Sequence, residues 1–399
     1  MIPRKEVSMY RYRLTPYLTE ELEGLDTLRA GLSCNGALPR RWLGRLRREW
    51  EAGVVAASTR IEGVPVTVDD VRRILAGDRP AWVCEHDCGL VEGYGEAVEY
   101  ALRRADDEAF RWTRKFVLQV HLRVMGVHPD PAAGSFRYKD VWLGDSGSGG
   151  VAYVPPPPRE VPGLVDELCE WAQSATDPTP VVAALVHARL AGIHPFYDGN
   201  GRVARILASV AMRRGGYNTQ EFVSLEEWWG SHREEYYDAF KDLGHRWSPD
   251  ADVTRFVTIH VRAQRRQVEA FWLKQAVECE IWGLAEGIAE EILEQPPRLA
   301  EALFDGFFGR PVTNRYYRSL VGITGRQATA DLTLLTERRL LARVFDQPEE
   351  VLTGAFALIS AVASAAGVGL APEAGSSVDR QRTHVVTAIA ERIERERAG

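Results

Sequence analysis

"HPFYDGNGRVAR", His194 to Arg205, places a histidine, an aspartate, a Gly-Asn-Gly turn and two arginines in one short segment. Pro195 cannot sit in a helix interior, so the helix before it must end near His194. Asp198-Gly199-Asn200-Gly201 is turn chemistry, and its glycines let the backbone approach a ligand closely. A new helix begins directly after the turn. Its first N–H groups are unpaired and its dipole end is positive, which suits phosphate. Arg202 and Arg205 stand three residues apart and reach along one side of that helix toward the same anion. Asp198 is a hard oxygen ligand suited to Mg²⁺ beside phosphates. His194 is a general base that works near neutral pH. Together these residues describe a Mg-nucleotide site with a base beside it. The chain holds no Gly-x-x-x-x-Gly-Lys-Ser/Thr string, so the site is not a P-loop.

The pattern around this segment is mostly helical. Helices are expected at Thr179–Gly192 and from about Gly201 to Arg214, the second stopped by Gly215-Gly216. Upstream, "GSFRYKDVWLGDSGSGGVAYVPPPP" reads as a hairpin, with strands Phe136–Leu143 and Val151–Val154 around a turn at Asp145–Gly150. Pro155 to Pro158 cannot extend a ladder. Arg40–Ser58 has helical periodicity through Trp42, Leu43, Leu46, Trp50, Val54 and Val55, and its basic side reads as a solvated face. "TVDDVRRILAG" opens with a Thr67 N-cap and stops at Gly77. Helices are expected at Glu92–Arg104, Arg111–Val124, Glu226–Leu243 and Val253–Glu294, with Gln295-Pro296-Pro297 as a boundary. Pro311 to Val344 reads as three short helices with a turn at Gly322–Gly325, and the last stretch, from Asp379, as a charged helix or frayed tail.

Composition sets outer bounds. The 399 residues suffice for two or three domains. The formal net charge of −7 excludes a global basic field for nucleic acid, so any DNA contact must come from a local patch. Five scattered cysteines, Cys34, Cys84, Cys88, Cys169 and Cys279, point to a reducing, cytoplasmic setting rather than a disulfide framework. The first residues carry no apolar h-region, so no signal peptide is read. Val351 to Ala371 is free of charge and long enough to span a bilayer, but it is rich in Ala, Gly and Ser and poor in Leu. A packed helix or helix pair is the expected form, and no membrane role is assigned.

The ordered set of His, Phe, Asp, Gly-Asn-Gly, Arg and Arg resembles the signature of Fic-domain proteins, HPFx(D/E)GNGRxxR, at every specified position. Three more stretches resemble that family. The hairpin is similar to its flap, here Leu143, Ala152, Tyr153 and Val154, which holds the target's side chain by strand addition. Tyr236 and Tyr237 resemble the aromatic positions near the adenine. "STRIEG", with Ser58, Glu62 and Gly63, resembles the inhibitory motif (S/T)xxxE(G/N), N-terminal to the core. The likeness covers roughly Val54 to Leu243 and departs at Gly244, where some relatives place an adenine-contacting asparagine.

The resemblance implies AMP transfer from ATP to a Ser, Thr or Tyr hydroxyl of a target protein. His194 would deprotonate the hydroxyl, and Asp198 would hold Mg²⁺ on the phosphates. Gly199, Asn200 and Gly201 would form the anion hole. Arg202 would take the β-phosphate and Arg205 the γ-phosphate. Glu62 would inhibit by pairing with Arg205. Phe196 is read as core, with no chemistry. Kinase-like relatives depart from Gly-Asn-Gly, so the intact loop favours AMP transfer. Two alternatives stay open: removal of AMP at the same site, and a DNA-binding regulator whose core senses nucleotide. Pro311–Val344 resembles the winged helix-turn-helix attached to many Fic proteins, with Arg326, Gln327 and Thr329 at the start of a recognition-like helix. DNA contact and a docking or dimerisation role are both open for it, and a homodimer is expected from relatives of this layout.

The expected architecture is mainly α. An N-terminal helical region (1–105) precedes the Fic core (106–250), a helical linker (251–297), a winged-helix-like domain (298–350) and a helical tail (351–399). Cys84, His86 and Cys88 in "CEHDC" lack a partner pair at zinc-finger spacing, and a plain loop is preferred to a metal site. His121, His128, His187, His232, His245 and His260 are isolated and are expected in packing or surface roles.

Overall fold

The computed structural model describes residues 10–34, 40–75, 77, 79–126, 132–144, 151–217, 225–344, 351–371 and 377–398, with side chains at 31–50, 151 and 398 outside the description. The expected apolar stripe of Trp42, Leu43, Leu46 and Trp50, the turn at 145–150, and His128 lie outside the described residues. The chain divides into two compact units, Met1–Glu269 and Ala270–Gly399. The division falls inside the stretch expected as a linker.

At the centre of the first unit are helices α7 (Thr179–Ile193) and α8 (Asn200–Arg214), which pack on each other. Helix α7 is apolar nearly all round, "TPVVAALVHARLAGI", and nearly every residue of it is buried. A helix without a polar face must be enclosed on all sides. Around the pair stand α2 (Arg40–Ile61), α4 (Glu85–Ala105), α5 (Arg114–Val124) and α6 (Val161–Ser174). Local chemistry sets their ends. Thr15, before α1 (Pro16–Cys34), accepts from Leu18 N at 3.1 Å, and Pro16 fills the first helical position. Thr67 and Asp70 cap α3 (Val68–Leu75) reciprocally, with Thr67 N donating to Asp70 Oδ2 and Asp70 N to Thr67 Oγ1. Gly63, at φ 93°, closes α2 through Gly63 N to Arg60 O and Val64 N to Thr59 O, both 3.0 Å.

Three expectations for this unit need correction. Of the strand expected at Phe136–Leu143, only β1 (Leu143–Gly144) pairs, with β2 (Val151–Tyr153). The preceding stretch spends its hydrogen bonds elsewhere: Arg137 N donates to Pro195 O, and the N–H groups of Tyr138 and Lys139 both donate to Tyr197 Oη. The helix expected at Glu226–Leu243 is three pieces, α9 (Glu226–Ser231), α10 (Arg233–Ala239) and a 3₁₀ turn (Phe240–Leu243). His232, at φ −126° and ψ 46°, breaks it, with its ring stacked on Trp228. "CEHDC" is not a loop but the start of α4, capped at Cys84, with Cys88 buried.

Helix α11 (Thr254–Gly287) ends in a π turn at Ile288–Ile292. The second unit then builds around α12 (Leu299–Phe307), every residue of which is buried. Thr313 caps α13 (Asn314–Val321), and Thr324 with Gln327 forms a capping box on α14 (Gly325–Glu337). Between them Gly322 takes φ 67°. Asp331 of α14 is buried and receives both Arg298 and the Tyr317 hydroxyl. The third helix expected before Val344 is instead strand β3 (Leu341–Val344), paired antiparallel with β4 (Val351–Gly354). Arg339, at φ 59°, turns the chain out of α14 and into the ladder. The charge-free stretch therefore begins as a strand, not a helix. Gly354 lies so close to Gly306 O that a Cβ would come within 2.2 Å of it. Helices α15 (Phe356–Ala365) and α16 (Val378–Ala398) follow. Among the described residues no helix is long and apolar enough to cross a membrane.

Candidate active site

His194 is the C-terminal cap of α7 and sits at φ 49°, ψ 60°, a left-handed conformation uncommon for a residue with a side chain. Its surroundings hold it there. His194 N donates to Leu190 O at 2.9 Å, and Arg137 Nε donates to His194 O at 2.8 Å. Arg137 is buried, and its other nitrogens reach Lys139 O, Pro156 O and Ile193 O. One arginine thus ties the flap approach to the turn after α7. His194 Nδ1 lies 3.3 Å from Ala191 O, which places the proton on Nδ1 and leaves the Nε2 lone pair available. Burial pushes His194 down to about 4, despite the Ala191 bond, with the Arg137 charge adding to the drop. At neutral pH it is therefore in its base form.

The loop that follows is clamped from inside. Asn200 Oδ1 accepts from Phe196 N, and Asn200 Nδ2 donates to Phe196 O, each at 2.9 Å. Phe196 is fully buried, and its ring stacks on His121 at 3.6 Å and 3°. His121 Nδ1 accepts from Gly134 N at 3.0 Å, so Nε2 carries the proton and donates to Asp198 O at 3.2 Å. Gly199 takes φ 78°, and a Cβ there would crowd Met125 and His121.

Helix α8 starts at this clamp. Arg202 is buried and donates from Nη2 to Asp198 Oδ2 at 2.8 Å, while its Nε and Nη1 have no partner among the described residues. Gly199 N also donates to Asp198 Oδ1, at 2.6 Å. The Asp198 side chain is 61% exposed. Arg205 is held more fully: Nε and Nη2 donate to Ser58 Oγ, Nη1 to Tyr236 Oη, and Nη2 to Glu62 Oε1. Burial works against its charge, yet Tyr236, Glu62 and Tyr94 more than offset that. A Cβ on Gly201 would lie 3.1 Å from Glu62 Oε1 and 3.2 Å from Arg205 Nη1. The Glu62 carboxylate thus occupies the space in front of the first turn of α8, where an anion is favoured.

Of the expected site residues, His194, Asp198 to Gly201, Arg202 and Arg205 share one loop and helix start, and Ser58 of α2 and Glu62 just after it meet them. The tyrosine pair splits. Tyr236 is buried with its hydroxyl on Arg205 and His187, so its ring is not open to an adenine. Tyr237 is 52% exposed, and its hydroxyl donates to Ile61 O beside Arg233 Nη2. In the flap, Leu143 pairs with Tyr153, whose hydroxyl donates to Gly192 O. Ala152 is exposed, and Val154 bonds to the His245–Trp247 segment. His121 and His187 were expected only in packing or surface roles, and Arg137 was not singled out from the sequence. Each meets the site across dozens of residues, and no local spacing marks it.

Residues 111–212 match the family described as Fic/DOC. Protein adenylyltransferase Fic of Drosophila melanogaster is 34% identical over 208 residues, covering 49% of this chain and 39% of that protein. The Nematostella vectensis protein of the same name is 28% identical over 222 residues, covering 54% of this chain and 47% of its own. The chain spans under half the length of these curated relatives. A Fic family protein from Desulfovibrio desulfuricans G20 shares the fold, with TM-score 0.58, 21% identity and coverage of 86% of this chain and 98% of that one. Fic-1 from C. elegans gives TM-score 0.53 at 25% identity, over 64% of this chain and 72% of that one.

Proposed function

We propose that the protein transfers AMP from ATP to a Ser, Thr or Tyr hydroxyl of a target protein, and that Glu62 holds this activity in check. The observation that carries the reading is the convergence of a neutral histidine with the start of α8 and two buried arginines. His194 Nε2 takes the hydroxyl proton. The hydroxyl oxygen bonds to the α-phosphorus, the bond from that phosphorus to the bridging oxygen breaks, and pyrophosphate leaves. The N–H groups of Asn200 and Gly201 face the phosphate, Gly199 N joins them when it leaves Asp198 Oδ1, and Arg202, with two donors unpartnered among the described residues, takes the β-phosphate. Arg205 takes the γ-phosphate once Glu62 releases it. Of the tyrosine pair, only Tyr237 is placed to meet the adenine.

A divalent cation fits this donor set. Mg²⁺ is usually held by one or two carboxylates plus substrate phosphates, and Asp198 offers one exposed carboxylate beside the anion site. Magnesium supplies charge neutralisation across the phosphate oxygens when bound. Catalysis is then positioning and charge stabilisation, the usual division in phosphoryl-type transfer.

The test is incubation of the wild type and Glu62→Gly with α-labelled ATP and Mg²⁺, followed by intact mass. Addition of AMP by Glu62→Gly supports the reading. No AMP on itself or on proteins of a lysate, from a folded Glu62→Gly variant, defeats it.

A second reading concerns the unit from Ala270. Arg315, Arg318, Arg326, Arg338 and Arg339 are exposed on α13, on α14 and just after it, in a chain that is acidic overall. We infer a local DNA contact there. Binding of duplex DNA that weakens steeply with salt, and is lost on replacing Arg318 and Arg326 with Ala, tests it. Salt-independent or absent binding removes it.

A further inference from the structure

Arg205 does not rest on Glu62 and Ser58 alone. Behind it runs a buried line of polar side chains that the reaction itself does not use. Arg205 Nη1 donates to Tyr236 Oη at 3.2 Å. Tyr236 Oη lies 3.3 Å from His187 Nε2. His187 Nδ1 lies 3.1 Å from His260 Nε2, and His260 Nδ1 lies 3.0 Å from Gln264 Nε2. Tyr236, His187, His260 and Gln264 are all buried. They come from α10, α7 and α11, so no stretch of sequence brings them together.

The direction of this line follows from its first member. A guanidinium only donates, so the Tyr236 oxygen accepts from Arg205. The Tyr236 proton then needs an acceptor, and His187 Nε2 is the one within reach among the described residues. His187 must therefore carry its proton on Nδ1 and donate to His260 Nε2. His260 in turn donates from Nδ1, which asks the Gln264 amide to turn its oxygen there, in place of the nitrogen that faces His260 at 3.0 Å and reaches Pro180 O at 3.4 Å. The opposite direction keeps the Gln264 nitrogen on His260 but leaves the Tyr236 proton unpaired in the interior. Both imidazoles must be neutral for the line to hold. Burial pushes His260 down to about 3 and His187 well below its ordinary value, with the His260 and Arg205 charges adding to the effect on His187.

We propose that His187 and His260 are positioning residues, which fix the Tyr236 hydroxyl as an acceptor and so hold Arg205 at the height of the γ-phosphate. This rests on the nucleotide reading given above. The line is independent of Glu62. When the carboxylate leaves, Ser58 and Tyr236 still anchor three of the guanidinium's hydrogen bonds. Release of Glu62 then exposes an arginine already aimed at the anion, rather than a loose one.

The test is ATP and ADP affinity, with Mg²⁺, in the Glu62→Gly background. The parent should prefer ATP, and Arg205→Ala should abolish that preference. Tyr236→Phe and His187→Leu should each cut the ATP-over-ADP preference about tenfold, the scale of one hydrogen bond to a charged group, while leaving ADP affinity in place. His187→Gln, which keeps an acceptor, should retain most of it. A merely structural role would weaken both nucleotides together. If His187→Leu does not fold, Tyr236→Phe decides, since it removes one oxygen and no volume from the core. Full preference in Tyr236→Phe, with none in Arg205→Ala, overturns the positioning role and spares the nucleotide reading. Unchanged preference in Arg205→Ala overturns both.

Discussion

Glu62 Oε1 and Arg205 Nη2 meet at 2.8 Å, with the arginine side chain 1% exposed and the glutamate 30%. The pair joins the residue just after α2 to α8 and sits over Gly201. On the proposed reading, the carboxylate takes the place of a nucleotide phosphate and uses the same donor. A charge-assisted pair of this kind is worth about 1.5–3 kcal/mol, or about 10- to 100-fold in the population of competent states. Glu62→Gly should therefore raise self-adenylylation at least about tenfold. Adding Arg205→Ala should remove the gain. Labelling by Glu62→Gly no faster than wild type at saturating ATP, with an intact circular dichroism spectrum, would make Glu62 a structural residue.

His194→Ala should bind ATP as the parent does and transfer nothing, because the base acts on the incoming hydroxyl and not on the nucleotide. The depressed pKa adds a sharper expectation. With His194 at about 4, the base form dominates down to mildly acid pH, so kcat/KM should stay flat from pH 8 to about 5 as far as this group is concerned. An acid limb centred near 6.5 in the Glu62→Gly variant would show that the imidazole is not buried as described.

Asp198→Ala should lose Mg²⁺-dependent activity, since it removes the motif's one carboxylate. It also frees Arg202 Nη2 and Gly199 N, which both bond to Asp198. Binding of nucleotide without magnesium should therefore be retained or improved. A magnesium titration of activity indistinguishable from the parent's would argue against the assignment.

The signature loop was legible because its chemistry is local: proline ends a helix, glycines turn, and a new helix offers its N–H groups. Glu62 was picked out by its motif, and it does meet Arg205, with Gly63 in the left-handed turn that a glycine permits; its inhibitory role belongs to the proposed reading. His121 was not. Nothing in its own helix marks it, and its importance comes from a ring stacked on Phe196 and a bond to Asp198 O. The strand expected at Phe136 failed for a similar reason. Its residues are β-prone, but their N–H groups are taken by Pro195 O and Tyr197 Oη instead of by a neighbouring strand. Tertiary partners decided both cases, and local propensity is a weak guide to them.

His121→Ala should loosen the loop without touching substrate. It removes a stacked ring and both ring-nitrogen contacts, leaving Gly134 N and Asp198 O to find other partners. Losses of this kind cost about 2–5 kcal/mol. Thermal unfolding should shift down by several degrees, and transfer should fall with it. His121→Gln, which can restore part of the bonding but not the stack, should fall between. Unchanged melting and activity in His121→Ala would leave the clamp to Asn200 alone.

Two buried histidines, His187 and His260, and the half-buried His194 set an expectation for stability against pH. His194 is depressed to about 4, His260 to about 3, and His187 well below its ordinary value, in each case chiefly by burial. The sign is fixed by which state takes up protons. As pH falls below about 6.5, the unfolded chain protonates these imidazoles while the folded chain resists. Stability is therefore full above that value and falls as pH drops through the window from about 6.5 toward 4. Each group contributes a slope approaching about 1.4 kcal/mol per pH unit once the two states differ by a full proton. Most carboxylates titrate lower, so the range from pH 6.5 to 5 isolates the histidines. Urea midpoints should fall steadily across that range, and His260→Gln should flatten the fall while lowering the plateau. Midpoints that stay level from pH 7.5 to 5 would mean that these imidazoles are not held neutral in the folded chain, and the hydrogen-bonded line behind Arg205 could not be built as described.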